Sequence, residues 1–294
     1  MSERVIIKAI EDTCQSGRKA WDVYEDWLDI TLAALEAMPR HAASITATGR
    51  PAEDTPEVQD LYTRLRATYG RDDFERFTTA FHALTDEAQQ RGWGGHGETW
   101  DIMGSVYMQL NVWSGHSGQY FTPWSIAEFM ARMSLGDVET DIRRRIAEAI
   151  DRGPWGVMGL ANGASITQPG KEQVMLQALA QNYAYLEPLT DCDPACGSGV
   201  TLLAAASVCP RWAIDFAVVR FFGQDIDNTC VKMARVNMML YGLNGYGLRL
   251  NAALHAPPAE PVTAVTLAKP DQDAAPEPTI TLPSGRAEQG SLFV

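Results

Sequence analysis

The sequence predicts an α/β protein with a helical N-terminal region, a truncated doubly wound core and a disordered C-terminal tail. Apolar residues recur at helical spacing through the first 113 positions, as in Trp21, Tyr24, Leu28, Leu32 and Leu35. The stretch DCDPACGSGV (191–200) reads as a short strand, a tight glycine turn and the start of an apolar helix, the arrangement found at the carboxyl edge of a parallel sheet. After residue 256, Pro, Ala and acidic residues dominate, a composition that cannot build a packed core.

Each element follows from its local pattern. The helical stripe repeats in Phe74, Phe77, Phe81, Leu84 and Ala88, and again in Trp100, Met103, Val106, Tyr107 and Leu110, which predicts a helical bundle over 1–113. Pro39, ATGRPAEDTP (47–56) and RGWGGHGE (91–98) are the expected breakers. The core is expected over 114–255. It opens with SGHSGQYFTPWSIAEFMARM, a glycine-rich loop running into an amphipathic helix, with Thr122 as its cap and Pro123 near its first turn. Residues 137–152 predict a further helix, 153–170 a loop and 171–186 a helix. A short strand from Leu189 to Cys192 precedes a helix over 200–208. FAVVRFFGQDID (216–227) predicts a second strand, followed by a helix capped by Asp227 or Asn228 and closed by Gly242, and GLRLN (247–251) a third strand. Arg143, Arg144 and Arg145 read as a solvated helix face.

Composition narrows the functional classes. With 294 residues and 46% hydrophobic content the chain can bury a full core. The start, MSERVIIKAIED, has no long apolar stretch, and no later run approaches the roughly 18 apolar residues of a membrane span. A cytoplasmic protein without membrane contact is expected. The five cysteines, Cys14, Cys192, Cys196, Cys209 and Cys230, form neither a disulfide framework nor a CxxC metal pair. A net charge of −13, from 24 basic and 37 acidic residues, argues against an unaided grip on nucleic acid, because phosphate contacts need clustered Lys and Arg.

The glycine turn carries the chemistry. It lacks both the GxGxxG of dinucleotide folds and the GK[ST] of phosphate loops, so it is not built to cradle a phosphate. Asp193 offers a carboxylate to a cation. Asp225, 32 residues further on at the end of the second strand, can accept both hydroxyls of a ribose. A ligand with a ribose and a positive amino group but no phosphate fits this pair, and S-adenosylmethionine is such a ligand.

GQYFTP (118–123), DPACGSG (193–199) and GQDID (223–227), in that order, resemble the N6-adenine DNA methyltransferases, in particular the methylation subunit of type I restriction-modification systems. The resemblance implies a Rossmann-like, S-adenosylmethionine-dependent methyltransferase core over 114–255, with 137–186 as an insertion. It places Tyr120, Phe121, Thr122 and Pro123 against the methionine end of the cofactor. Asp193, Ala195, Cys196, Gly197 and Gly199 would line its backbone, Asp225 would take the ribose, and Ile226 would pack on the adenine.

The family's Asn-Pro-Pro-Tyr/Phe motif accepts the hydrogens of the exocyclic amine and stacks on the flipped base. It is not found downstream of Asp225. His255-Ala256-Pro257-Pro258-Ala259 lacks the amide and the aromatic, and VTAVTLA (262–268) ends in Lys269-Pro270-Asp271. No catalytic residue is therefore assigned, and no target-recognition domain is evident. The expected function is that of an N6-adenine DNA methyltransferase-like protein that reaches DNA through a partner subunit; the alternative is a non-catalytic cofactor-binding or interaction protein. The tail, 256–294, ends in Gln289-Gly290-Ser291-Leu292-Phe293-Val294. This resembles the peptide by which bacterial replication and repair proteins dock on the sliding clamp, with Gln289, Leu292 and Phe293 as the contacts.

Overall fold

The computed structural model describes residues 2–15, 17–90, 100–110 and 121–243. Four helices form the N-terminal region: α1 (Ser2–Cys14), α2 (Ala20–Thr48), α3 (Pro56–Gln90) and α4 (Ile102–Leu110). Their apolar stripes face one another, with Ile6, Ile10, Tyr24, Trp27, Leu28, Leu65, Leu84 and Tyr107 almost fully enclosed. Pro39 does not break the chain: it lies inside α2. A proline removes one N–H and strains one turn. The preceding turns are held by buried Leu32, Leu35 and Ala37, and the following turn by Arg40 and His41, which both reach Asp54 at 3.5 and 3.1 Å. The break falls instead at Gly49, whose left-handed backbone (φ 72°) lets its N–H reach the Ile45 carbonyl. Gly70, at φ 70°, divides α3 into two helical stretches.

The rest of the described chain runs α5 (Trp124–Leu135), α6 (Val138–Arg152), α7 (Pro154–Val157), α8 (Gly163–Ile166), α9 (Glu172–Asn182), β1 (Leu189–Asp193), α10 (Val200–Val208), α11 (Arg211–Asp215), β2 (Val219–Gly223) and α12 (Asn228–Leu240). Among the described residues the protein is mostly helical with a small parallel sheet. β1 and β2 pair from Leu189 opposite Val219 to Asp193 opposite Gly223, with α10 and α11 in the crossover. The expected third strand, 247–251, lies outside the described residues.

Three further expectations need correction. Thr122 is not the cap of α5: Pro123 occupies the cap position, and no side chain caps the helix. Thr122 stands one residue too early for its hydroxyl to meet the first free amides. The segment 153–170 is not all loop but contains α7 and α8, the first started by Pro154 with its preset φ and the second by the Asn162 side chain, which accepts the Ser165 N–H. Nor is Arg143 solvated. It falls within the buried stripe of α6 formed by Ile142, Ile146, Ala149 and Ile150. There it pairs with Glu139 and Glu172 at 2.6 and 2.7 Å, donates to the Thr167 carbonyl and stacks over Trp212, 5.3 Å from the ring centre. Arg144 and Arg145 do pair outward, with Asp141 and, for Arg144, Glu148.

The N-terminal helices and the strand-bearing segment share one apolar core that includes Ile6 and Leu243. Charge reinforces the contact between α2 and α12. Lys232 pairs with Glu25 at 3.2 Å and with Asp29, and Arg235 pairs with Glu36. Among the described residues no helix is long and apolar enough to cross a membrane.

Candidate cofactor site

Parallel pairing ends with Asp193 beside Gly223, so the loops leaving β1 and β2 emerge side by side. Backbone hydrogen bonds lash them together: Gln224 N–H donates to the Asp193 carbonyl and Cys196 N–H to the Gln224 carbonyl, both at 2.8 Å. The turn is possible because Gly197 (φ 54°) and Gly199 (φ 87°) take left-handed backbone conformations, with Ala234 3.2 Å from where a β-carbon on Gly199 would stand. α10 starts at once from Gly199, which aims its free amides at the same edge.

The two carboxylates behave differently. Asp193 is turned onto its own loop, accepting the Ala195 N–H at 2.9 Å through one oxygen and the Thr201 hydroxyl through the other. Asp225 bridges the two loops: Oδ2 accepts the Gly197 N–H at 2.8 Å and Oδ1 the Asp227 N–H at 2.9 Å. A carboxylate oxygen that accepts one bond can accept another. Next to it Ile226, in the loop between β2 and α12, is fully exposed, an uncommon setting for an isoleucine. Asp227 caps α12 by accepting the Thr229 N–H at 2.8 Å.

Phe121 joins this site from a distant part of the sequence. Its ring lies 3.0 Å from where a β-carbon on Gly197 would stand and meets Tyr107 edge-on at 5.5 Å. The FTP stretch and the glycine turn are therefore in contact. Thr122 is half-buried, Pro123 is exposed at the start of α5, and Ala195 is exposed. Cys196 is buried, and burial, followed by the charges of Asp225 and Asp193, pushes its thiol up to about 12. It is a packing residue rather than a nucleophile. Tyr120 lies outside the described residues, as do Gln289, Leu292 and Phe293. Among the described residues no cluster could hold a metal ion.

Three residues that sequence reasoning did not single out underlie the turn. Ser198, Asp101 and Asn237 are all buried and hydrogen-bonded together. Asp101 accepts from the Ser198 hydroxyl and from Asn237 Nδ2, the latter at 2.8 Å, while Asn237 Nδ2 also donates to the Ser198 carbonyl at 2.9 Å. The one available signal was an aspartate near the start of an apolar helical stripe: Asp101 stands immediately before α4 and accepts the Gly104 N–H at 2.7 Å as a helix cap does.

A carboxylate with spare acceptor capacity, an exposed isoleucine beside it and an aromatic ring against a glycine turn offer hydrogen-bond acceptance and apolar surface at one sheet edge. Residues 175–271, about a third of the chain, match the N-6 DNA Methylase family. That segment is similar to the N-6 DNA methylases. The match takes in the glycine turn, Asp225 and Ile226, and begins after the FTP stretch. Among solved structures, the chain is similar to the type I restriction-modification system methyltransferase subunit from Streptococcus thermophilus, at 12% identity and a TM-score of 0.40, covering 94% of this chain and 61% of that one. It thus spans less than two thirds of that subunit's length. No curated protein matches.

Proposed function

We propose that the chain binds S-adenosylmethionine over the β1–β2 edge and serves as the cofactor-binding part of a DNA adenine-N6 methylating assembly. The observation that carries this is Asp225, fixed by the Gly197 N–H with acceptor capacity to spare, beside a fully exposed Ile226. The cofactor supplies an electrophilic methyl group on a sulfonium. In this reading Asp225 receives the ribose hydroxyls, Ile226 covers one face of the adenine, and Phe121 and the α10 amides bound the methionine end, with Tyr120, Thr122 and Pro123 nearby. Asp193, whose oxygens likewise accept one bond each, holds the turn in shape and receives the cofactor's positive amino group.

Dependence on a partner is supported by the net charge of −13 and by apolar surface left uncovered among the described residues. Ile126, Phe129, Met130 and Met133 form an exposed stripe on α5, opposite the Ala127 and Ala131 face that packs on α10. The partner is a subunit that supplies base recognition and the acceptors for the adenine amine. A second reading, a cofactor-binding protein that transfers no methyl group, is favoured by the lack of an Asn-Pro-Pro-Tyr/Phe sequence after Asp225.

The deciding experiment incubates the chain with methyl-labelled cofactor and duplex DNA, alone and with its co-purifying proteins. Label is expected in adenine only with the partner present. Efficient transfer by the pure chain contradicts the dependence, and no transfer in any combination favours the second reading. The sliding-clamp role of Gln289, Leu292 and Phe293 is a separate proposal. A tail peptide titrated onto purified clamp should bind and lose binding on Leu292→Ala or Phe293→Ala; equal, negligible binding by all three removes it.

A further inference from the structure

We infer that Asp101 is a positioning residue for the cofactor turn, through which the N-terminal helices set the geometry of the site. This rests on the cofactor reading above for its function, but not for its geometry. Asp101 lies 97 residues before Ser198 and 136 before Asn237, yet its carboxylate is where the three segments meet. One oxygen accepts the Ser198 hydroxyl; the other accepts the Gly104 N–H at 2.7 Å and Asn237 Nδ2 at 2.8 Å. Asn237 in turn accepts the Met103 N–H at 3.3 Å and donates to the Ser198 carbonyl at 2.9 Å. Among the described residues the partners of this carboxylate are an amide N–H, a hydroxyl and a side-chain amide, none of them a cation. It is held by hydrogen-bond donors, as a buried carboxylate must be.

The node has no slack. A β-carbon on Gly104 would stand 2.1 Å from an Asp101 oxygen and 2.6 Å from the Ser198 hydroxyl, so α4 can approach the turn only with glycine at that position. Ser198 is the central residue of the Gly197-Ser198-Gly199 turn. On one side Gly197 gives its N–H to Asp225, and on the other Gly199 is pressed against Ala234. Fixing Ser198 at both its hydroxyl and its carbonyl therefore fixes the direction of the Gly197 N–H, and with it the carboxylate proposed to hold the ribose. A side chain that never touches the cofactor thereby carries the position of the N-terminal helices to the group that does.

The test measures amide hydrogen exchange at residues 197–200 in the cofactor-free full chain, beside calorimetric titration with S-adenosylmethionine. Asp101→Ala and Ser198→Ala should each speed exchange at the turn by about tenfold or more relative to α10, and weaken cofactor binding by a similar factor. Asp101→Asn keeps an acceptor for Gly104 and Asn237 and can donate to the Ser198 hydroxyl, so it should restore both readouts towards wild type. Lys232→Ala, which breaks the α2–α12 ion pairs away from the turn, should lower stability without the selective effect at 197–200. If Asp101→Ala fails to fold, Ser198→Ala, which removes one hydroxyl, still decides. Unchanged turn exchange in the folded alanine variants overturns the inference. Wild-type protein that binds no cofactor while the exchange pattern appears would defeat the cofactor reading and leave the positioning role standing.

Discussion

At the scale of single residues, the site separates what a motif names from what holds it. Gly197, Gly199, Asp193 and Asp225 are legible because a turn between strand and helix needs glycine at positive φ and polar groups at the sheet edge. Asp101 and Asn237 were not legible, since each looks like an ordinary helix residue until the fold brings it to Ser198. Burial holds the Asp101 carboxyl above the usual aspartate range, its three hydrogen bonds oppose this, and Glu3 adds to the rise; the phenol of Tyr24 and the thiol of Cys230 also feel its charge. A carboxyl whose pKa is raised by folding stabilises the folded state only while protonated, and that contribution is lost as pH rises from the ordinary aspartate range through the raised value. Asp101→Asn removes this dependence. Its melting temperature relative to wild type is therefore expected to climb as pH rises above the ordinary aspartate range of about 4, as thermal melts through that rise would show. A constant difference would mean that the carboxyl is no more costly folded than unfolded.

At the scale of elements, α10 occupies the span that the apolar run predicts, and Asp227 caps α12 as its position suggests. β1 extends one residue past Cys192 to Asp193. Errors arise where a tertiary partner overrides a local rule. Pro39 survives inside α2 because neighbours anchor both flanking turns, and Arg143 is buried because Glu139, Glu172, the Thr167 carbonyl and Trp212 converge on it. No periodicity could reveal that convergence, since Glu172 lies 29 residues away. Arg143 thereby ties the segment 137–186 to α11. Arg143→Met keeps the stem and removes the charge, and is expected to lower the melting temperature by about 2–4 °C near neutral pH. The Arg143 guanidinium, with backbone amides, draws Glu172 down to about 2 from its ordinary 4.5. That stabilisation is present above the ordinary value and fades as pH falls from 4.5 towards 2. The gap between variant and wild type should narrow over the same interval in acid melts; a gap that persists unchanged would assign the effect to packing alone.

At the scale of the whole molecule, a mostly helical chain carries a small parallel sheet, with α10 and α11 packed on the strands and α2 and α4 bearing on α12. The fold class was legible in outline because two strand–turn–helix patterns survive in the sequence. The expected third strand, 247–251, lies outside the described residues. The N-terminal helices emerge as part of the site's support through Asp101, Phe121 resting on Tyr107, and the Glu25, Asp29 and Glu36 pairs to α12. All of this supports the proposed role of the Asp225 carboxylate, which the Gly197 and Asp227 amides hold in place. Calorimetric titration of the full chain with S-adenosylmethionine, wild type against Asp225→Ala, tests that most directly. Saturable binding by the wild type, weakened about tenfold to a hundredfold by Asp225→Ala through loss of hydrogen bonds to a charged group worth about 1.5–3 kcal/mol, is the expected result. No heat and no thermal shift in the wild type at about millimolar cofactor, or equal affinity in both proteins, would contradict it.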